Sequence, residues 1–170
     1  RRTPARLQAE VIRDSLLKMS GLLDPRMYGA GTLDERMKRR SIYFMIKRSK
    51  LIPTMQLFDS PEPLVSQGSR PATIIAPQAL HFMNNAQVRE AAVALAVQFE
   101  KIPGDREAIN LAYQTVVGRD PSPAETKSIS AFMNAQAESY EASGRKDARK
   151  LALADMAQVL FGLNEFIYVN

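Results

Sequence analysis

The chain has 170 residues, no Cys, a single His (His81) and a formal net charge of +5. That length makes one domain, or at most two small ones, with a core large enough to need no disulfide or metal. A Cys nucleophile, a Cys-ligated metal and a multi-His zinc site built by this chain alone are all excluded.

The charge is uneven: residues 1–70 carry 14 Lys/Arg against 7 Asp/Glu, whereas residues 71–170 carry 9 against 11. Basicity gathered in Arg36–Lys50 fits either a solvated face or the footprint of an acidic partner. No apolar run approaches the roughly 18 residues of a membrane span. The chain opens at Arg1 without Met, so its start is read as a cut within a longer parent and says nothing about a leader.

Thr3-Pro4 predicts a helix start, with Thr3 as cap and Pro4 at the first helical position. Leu7, Val11, Ile12, Leu16, Met19 and Leu23 form its apolar stripe, Glu10 and Arg13 pair on its surface, and Gly21 ends it ahead of Asp24-Pro25. A loop, Arg26–Gly31, follows. Thr32 and Glu35 fit a capping box that opens a short helix near Leu33. Ser41–Ile46 is rich in β-branched and aromatic residues and reads as a short strand, with a helix continuing to Lys50 as the alternative.

Residues 53–76 form a Pro-rich irregular stretch in which Thr54–Phe58 can make one helical turn. A loop of that length is either functional or pinned by its own contacts. Asp59 precedes Pro61 and Arg70 precedes Pro71, so both ends are stiff, and Arg70 is expected to reach Asp59 or the backbone near Pro77.

Helix resumes at Ala76-Pro77 with Leu80 and Met83 inward. It breaks at Asn84-Asn85 and continues with Val88, Ala92, Leu95, Phe99 and Ile102 on one face. Asp105 caps the next helix, which buries Ile109, Ala112, Tyr113 and Val116 and stops at Gly118. Ser122 and Glu125 form a second capping box. The helix they open carries Ile129, Phe132, Met133 and Tyr140 and stops at Gly144. The last helix, about Asp147–Phe166, is apolar nearly all round and so belongs at the centre of the core. Asp155 and Gln158 on it must be hydrogen-bonded if buried. The fold expected is mainly α: one domain over residues 1–170, a bundle of five or six helices with the Pro-rich segment laid across it.

Catalytic motifs are few. Ser15 and Lys18 match S-x-x-K, but the companion S-D-N and K-T-G motifs are absent, so a helix-surface Ser and Lys is the plainer reading. No phosphate loop, nucleotide-binding glycine motif or nucleophile elbow is present. His81, between Leu80 and Phe82, reads as a hydrogen-bonded, partly buried histidine sooner than a catalytic one. Arg39, Arg40, Tyr43, Lys47 and Arg48 mix cations with aromatics and are the candidate interaction residues. No nucleic-acid-binding signature accompanies them. Asp59, Arg70 and His81 are candidates for anchoring the loop or for a composite site. No metal or cofactor is expected.

Several ordered blocks carry a resemblance. Residues 6–17 (RLQAEVIRDSLL), Arg39–Tyr43, Phe58–Pro61, Arg70 and Ala76–Leu80 are followed by Gly118-Arg119, Ala152–Asp155 and Leu163–Val169. The chain resembles a bacterial domain abundant in planctomycetes, domain of unknown function 1553. The resemblance implies the C-terminal domain of a large exported protein, preceded by another domain and often by a c-type cytochrome-like domain, and hence an extracytoplasmic location. The ending NEFIYVN looks like a native C-terminus. Many relatives have a Cys before the Arg that Arg70 resembles. Here Ser66, Gln67 and Gly68 stand there, which argues against a redox or metal role for the loop.

Three functions stay open on this reading. The first is a non-catalytic domain docking on the preceding domain or another protein through Arg36–Arg70. The others are part of an enzyme site completed by the preceding domain, and a basic surface for an anionic glycan or nucleic acid.

Overall fold

The structure, a computed structural model, describes residues 3–169. Eight helices run in chain order among them. They are α1 (Ala9–Met19), α2 (Pro53–Leu57), α3 (Ala76–Asn84), α4 (Ala86–Phe99), α5 (Asp105–Val116), α6 (Pro123–Ala142), α7 (Ala148–Phe161) and α8 (Asn164–Ile167). Two short strands, β1 (Ala5–Arg6) and β2 (Tyr168–Val169), pair antiparallel and tie the two ends of the described chain together. The mainly α bundle is as expected; α2 and α8 are the two short helices beyond the six longer ones.

The core is a three-helix stack. α7 lies between α4 and α6, and the reason is in its composition. Ala152, Leu153, Ala154, Met156, Ala157, Leu160 and Phe161 are all buried and surround its axis. α4 meets α7 with a face of Ala91, Ala92, Leu95 and Ala96, each fully buried. Small residues on both helices let the backbones approach closely, and Leu95, Leu153 and Phe161 fill the gaps that remain. Asp155 is hydrogen-bonded as its burial requires, accepting from Arg89 Nη1 at 2.6 Å and Tyr140 Oη at 3.0 Å. Gln158 donates to the carbonyls of Phe82 and Met83. The Ser122–Glu125 capping box is present on α6, and Gly118 and Gly144 take positive φ at helix ends. Among the described residues no helix is long and apolar enough to cross a membrane.

A second layer of α1, α2 and α3 rests on α4 and α7, and here several expectations are corrected. Thr3-Pro4 does not open α1. The backbone of Ala5–Arg6 is taken by β2, and Leu7 N–H donates to Ile167 C=O at 2.8 Å, so the helix starts only after Gln8. Glu10 and Arg13 do not pair. Arg13 turns inward, 5 % exposed, and donates to the carbonyls of Arg39 and Met37 and to Ser41 Oγ.

No helix opens at Leu33. Thr32 Oγ1 accepts from the N–H of Asp34, two residues on, which closes a turn. Glu35 reaches away to Thr54, accepting from its N–H at 3.0 Å and from its hydroxyl, and so caps α2 across space. Ser41–Ile46 is neither strand nor α-helix: Ser41–Tyr43 is one 3-10 turn, and Phe44 bridges to Thr32. Within the Pro-rich stretch α2 is regular and residues 58–75 are irregular. Leu80 and Met83 point outward, 50 % and 67 % exposed, and α3 buries Gln78 and Phe82 instead. Asp105 is the first residue of α5, not its cap, and its carboxylate accepts from Arg149. The last helix divides at Gly162 into α7 and α8.

Candidate functional site

A cleft of about 1000 Å³ is bounded by α1, residues 40–46, α2 and the loop 59–71. Its chemistry divides into an apolar floor and charged walls. Val11 and Met19 of α1, Phe44, Leu51, Ile52 and Met55 supply the floor, and Ile42, Met45 and Ile46 stand along it. Ile42 is 74 % exposed, Met45 51 % and Ile46 84 %. Ser15 and Lys18 also line the cleft, but among the described residues neither bonds the other.

The loop wall is built by Asp59. α2 ends in a left-handed residue, Asp59 at φ 59°, with Asp59 N–H donating to Gln56 C=O and Ser60 N–H to Met55 C=O. This is the Schellman pattern, usually made by Gly and tolerated by Asp. It aims the carboxylate back across the chain, where it accepts from Arg6 Nη2 of β1 and from the N–H and hydroxyl of Thr73. Burial pushes the Asp59 carboxyl up, but the Thr73 and Arg6 hydrogen bonds outweigh it and hold the group below its ordinary value.

Arg70 does not reach Asp59 or Pro77 as expected. It forks onto Glu10 of α1, at 2.8 and 3.1 Å, and donates to Gln8 Oε1 at 3.2 Å. Burial likewise raises the Glu10 carboxyl, and the Arg70 hydrogen bonds bring it below its ordinary value. Gln78 completes the anchoring, its Nε2 donating to Leu57 C=O and Thr73 C=O and its Oε1 accepting from Ile75 N–H. Sequence reasoning missed Arg6, Thr73 and Gln78. Of these only Gln78 had a local signal, a Gln at the third position of a helix opened by Ala76-Pro77.

The candidate interaction residues separate in space. Arg39 stacks on Tyr43, its guanidinium 3.5 Å from the ring centroid, and gathers the carbonyls of Arg26, Tyr28 and Ala30. Tyr43 Oη accepts from Tyr28 N–H at 2.6 Å. Both side chains are thus occupied in closing the loop over Arg26–Gly31. Arg40 is 65 % exposed at the cleft and lies 3.7 Å from Asp14. Lys47 and Arg48 sit on a tight turn closed by Lys50 N–H to Lys47 C=O, and both are exposed. Among the described residues Lys47, Arg48 and Lys50 pair with no carboxylate.

His81 is on α3 behind the cleft, its ring edge-on to Phe58 and Phe82 with centroids 5.6 and 5.7 Å away. Burial lowers its pKa from the usual 6.5, and Glu35 acts weakly in the other direction. The unfolded chain therefore takes up this proton first as pH falls. Stability should decline as pH drops below about 6.5 through the lower folded value. The carboxylates of Glu10 and Asp59, whose folded values are depressed, lose their contribution only at lower pH. Urea midpoints at about pH 7.5 and pH 5.5 should differ for the native chain and converge for His81→Gln. An unchanged pH slope in the variant would remove His81 as the cause.

The model of a family described as protein of unknown function (DUF1553) matches residues 1–133, well over half of the chain. The chain belongs to this family. The DUF1553 match takes in the whole cleft, with α1 to α5 and the first half of α6, while α7 and α8 lie beyond it. No curated protein and no solved structure matches the chain. Among the described residues no three His, Asp or Glu side chains gather as a metal site would need.

Proposed function

We propose that this chain is a non-catalytic docking domain, and that its cleft receives an apolar, acid-flanked stretch of polypeptide from the preceding domain of a longer, exported parent protein. The observation that carries this is the row of Ile42, Met45 and Ile46 standing exposed along the cleft. Aliphatic side chains placed together in water gain about 25 cal/mol per Å² when covered. Such patches beside polar rims mark interaction surfaces. The adjoining Lys47, Arg48 and Lys50, which pair with no carboxylate among the described residues, ask for carboxylates on the covering segment.

Two features weigh against the other readings. The carboxyls of Glu10 and Asp59 are held below their ordinary values, Glu10 by Arg70 and Asp59 by Thr73 and Arg6, whereas a general acid working near neutral pH needs a raised value. Arg39 covers one face of Tyr43, and the Tyr43 hydroxyl is held by Tyr28 N–H, so the ring is engaged within the loop and is not set out as a stacking platform for a base.

Calorimetric titration of the separately expressed preceding region tests the proposal, at low and high salt and beside a mixed-sequence oligonucleotide. Binding of the preceding region should survive high salt, because apolar burial is not screened. Ile46→Asp should weaken it by about 2 kcal/mol, roughly thirtyfold, with little change in stability because the side chain is solvated. If the preceding region fails to bind and the oligonucleotide binds with a steep salt slope, the chain is an anionic-polymer binder instead.

A further inference from the structure

A strand edge lies open beside the cleft. Residues 43–47 run between two bridges, one pairing Phe44 with Thr32 and one pairing Lys47 with Lys50. Phe44 is extended, at φ −70° and ψ 131°. Tyr43 C=O accepts from Thr32 N–H and Met45 N–H donates to Thr32 C=O, both at 2.9 Å, and Lys47 C=O accepts from Lys50 N–H at 3.0 Å. The groups so used belong to alternate residues, as on one side of an extended chain. That side is full: a Cβ placed on Gly31 would come within 2.9 Å of Met45 Cγ and 3.0 Å of Tyr43 C=O.

The other side belongs to Phe44 and Ile46. Phe44 C=O and the N–H and C=O of Ile46 have no protein partner among the described residues. Ile46 is 84 % exposed, so no other element packs over it, and Phe44, Met45 and Ile46 all line the cleft. An unpaired edge of this kind is a template for another chain. An acceptor at one residue, followed two residues on by a donor and an acceptor, is matched by the backbone of extended polypeptide. A helix spends those groups internally, and a lipid or nucleic acid has no such repeat.

Resting on the docking reading for its carrier, we infer that the segment in the cleft is taken up as an added β-strand along Phe44–Ile46. One of its residues donates to Phe44 C=O and accepts from Ile46 N–H, as Thr32 does with Tyr43 and Met45 on the full side. Alternate side chains of the segment then fall toward the apolar floor. Its carboxylates meet Lys47, Arg48 and Lys50, which stand exposed at the end of the edge. The edge is short, so it fixes the register of the segment while apolar and charged contacts supply most of the affinity.

The test uses the separately expressed preceding region and two variants of this chain, Ile46→Val and Ile46→Pro. Val and Pro each carry three side-chain carbons, but only Pro lacks the N–H. Because that N–H has no partner in the free chain, both variants should keep native urea midpoints. Ile46→Pro should bind the preceding region about tenfold more weakly than Ile46→Val, the worth of one hydrogen bond. In the native complex, amide exchange at Ile46 should slow at least about tenfold, while Ile74, exposed outside the cleft, should not change. Equal binding by the two variants, or unslowed exchange at Ile46 in a formed complex, overturns the added strand and leaves the docking reading standing. If Ile46→Pro fails to fold, exchange at Ile46 in the native complex decides alone. No binding of the preceding region by the native chain removes the docking reading and the added strand with it.

Discussion

Replacing Arg6 with Ala is expected to lower the unfolding free energy by about 3–5 kcal/mol, the cost of removing one partner from a buried ion pair. Arg6 is 5 % exposed and Asp59 13 %, so the carboxylate left behind would keep only Thr73 and would stay poorly solvated. The loss should be partly one of packing, since the Arg6 guanidinium also lies 5.8 Å from the Phe58 ring centroid. Arg6→Met keeps the stem and should fall between the native chain and Arg6→Ala. Asp59→Asn should cost less than Arg6→Ala, because Asn tolerates the left-handed backbone at φ 59° and can still accept from Thr73. Urea denaturation gives the free energies, and amide exchange across residues 59–73 should accelerate in step. A loss under about 1 kcal/mol for Arg6→Ala would mean that the pair behaves as a solvated one.

Phe82→Ala should cost about 3–5 kcal/mol, in the range for a buried Phe whose site cannot collapse. Phe82 is 2 % exposed and touches the rings of Phe58, His81 and Phe166, with centroids 5.7, 5.7 and 6.1 Å away. It therefore joins α2 and α3 to the end of the chain at α8. Losing it should loosen the seat of α2 and, through Phe58, the left-handed turn at Asp59. Hydrogen exchange should then rise over residues 53–60 before the α4–α7 core is affected. Met83→Ala, one residue away and 67 % exposed, should change stability by no more than about 0.5 kcal/mol. Similar losses at both positions would show that the burial assigned to α3 is wrong.

The two predictions sit where reading from sequence was weakest. α4 and α7 were legible because their signals are local. Val88, Ala92, Leu95 and Phe99 recur at helical spacing, and a helix apolar on all sides has nowhere to go but the centre. Ser122 with Glu125, and Gly118 and Gly144 at helix ends, were legible for the same reason: a cap is satisfied within a few residues. Asp155 and Gln158 followed from one rule, that buried polar groups find partners.

The layer around the cleft obeyed longer-range conditions. Thr3-Pro4 is a sound helix start in isolation, yet Ala5–Arg6 pairs with Tyr168–Val169, more than 160 residues away, and that pairing sets the position of Arg6. Thr32 and Glu35 form a capping box on paper, but Glu35 caps α2 instead. Asp59 and Arg70 were singled out by their prolines, and each does hold the loop to another element. Their partners, Arg6 and Glu10, became available only when β1 folded back and α1 presented its outer face. Amino-acid sequence by itself determined the helical class, the central helix and the basic segment, because periodicity and capping are properties of adjacent residues. Which charges meet, and which aliphatic side chains remain uncovered beside them, was decided by the tertiary structure. Ion pairs and clefts are set by distances between residues far apart in the chain, such as Arg6 with Asp59 and Glu10 with Arg70, and no local pattern encodes those distances.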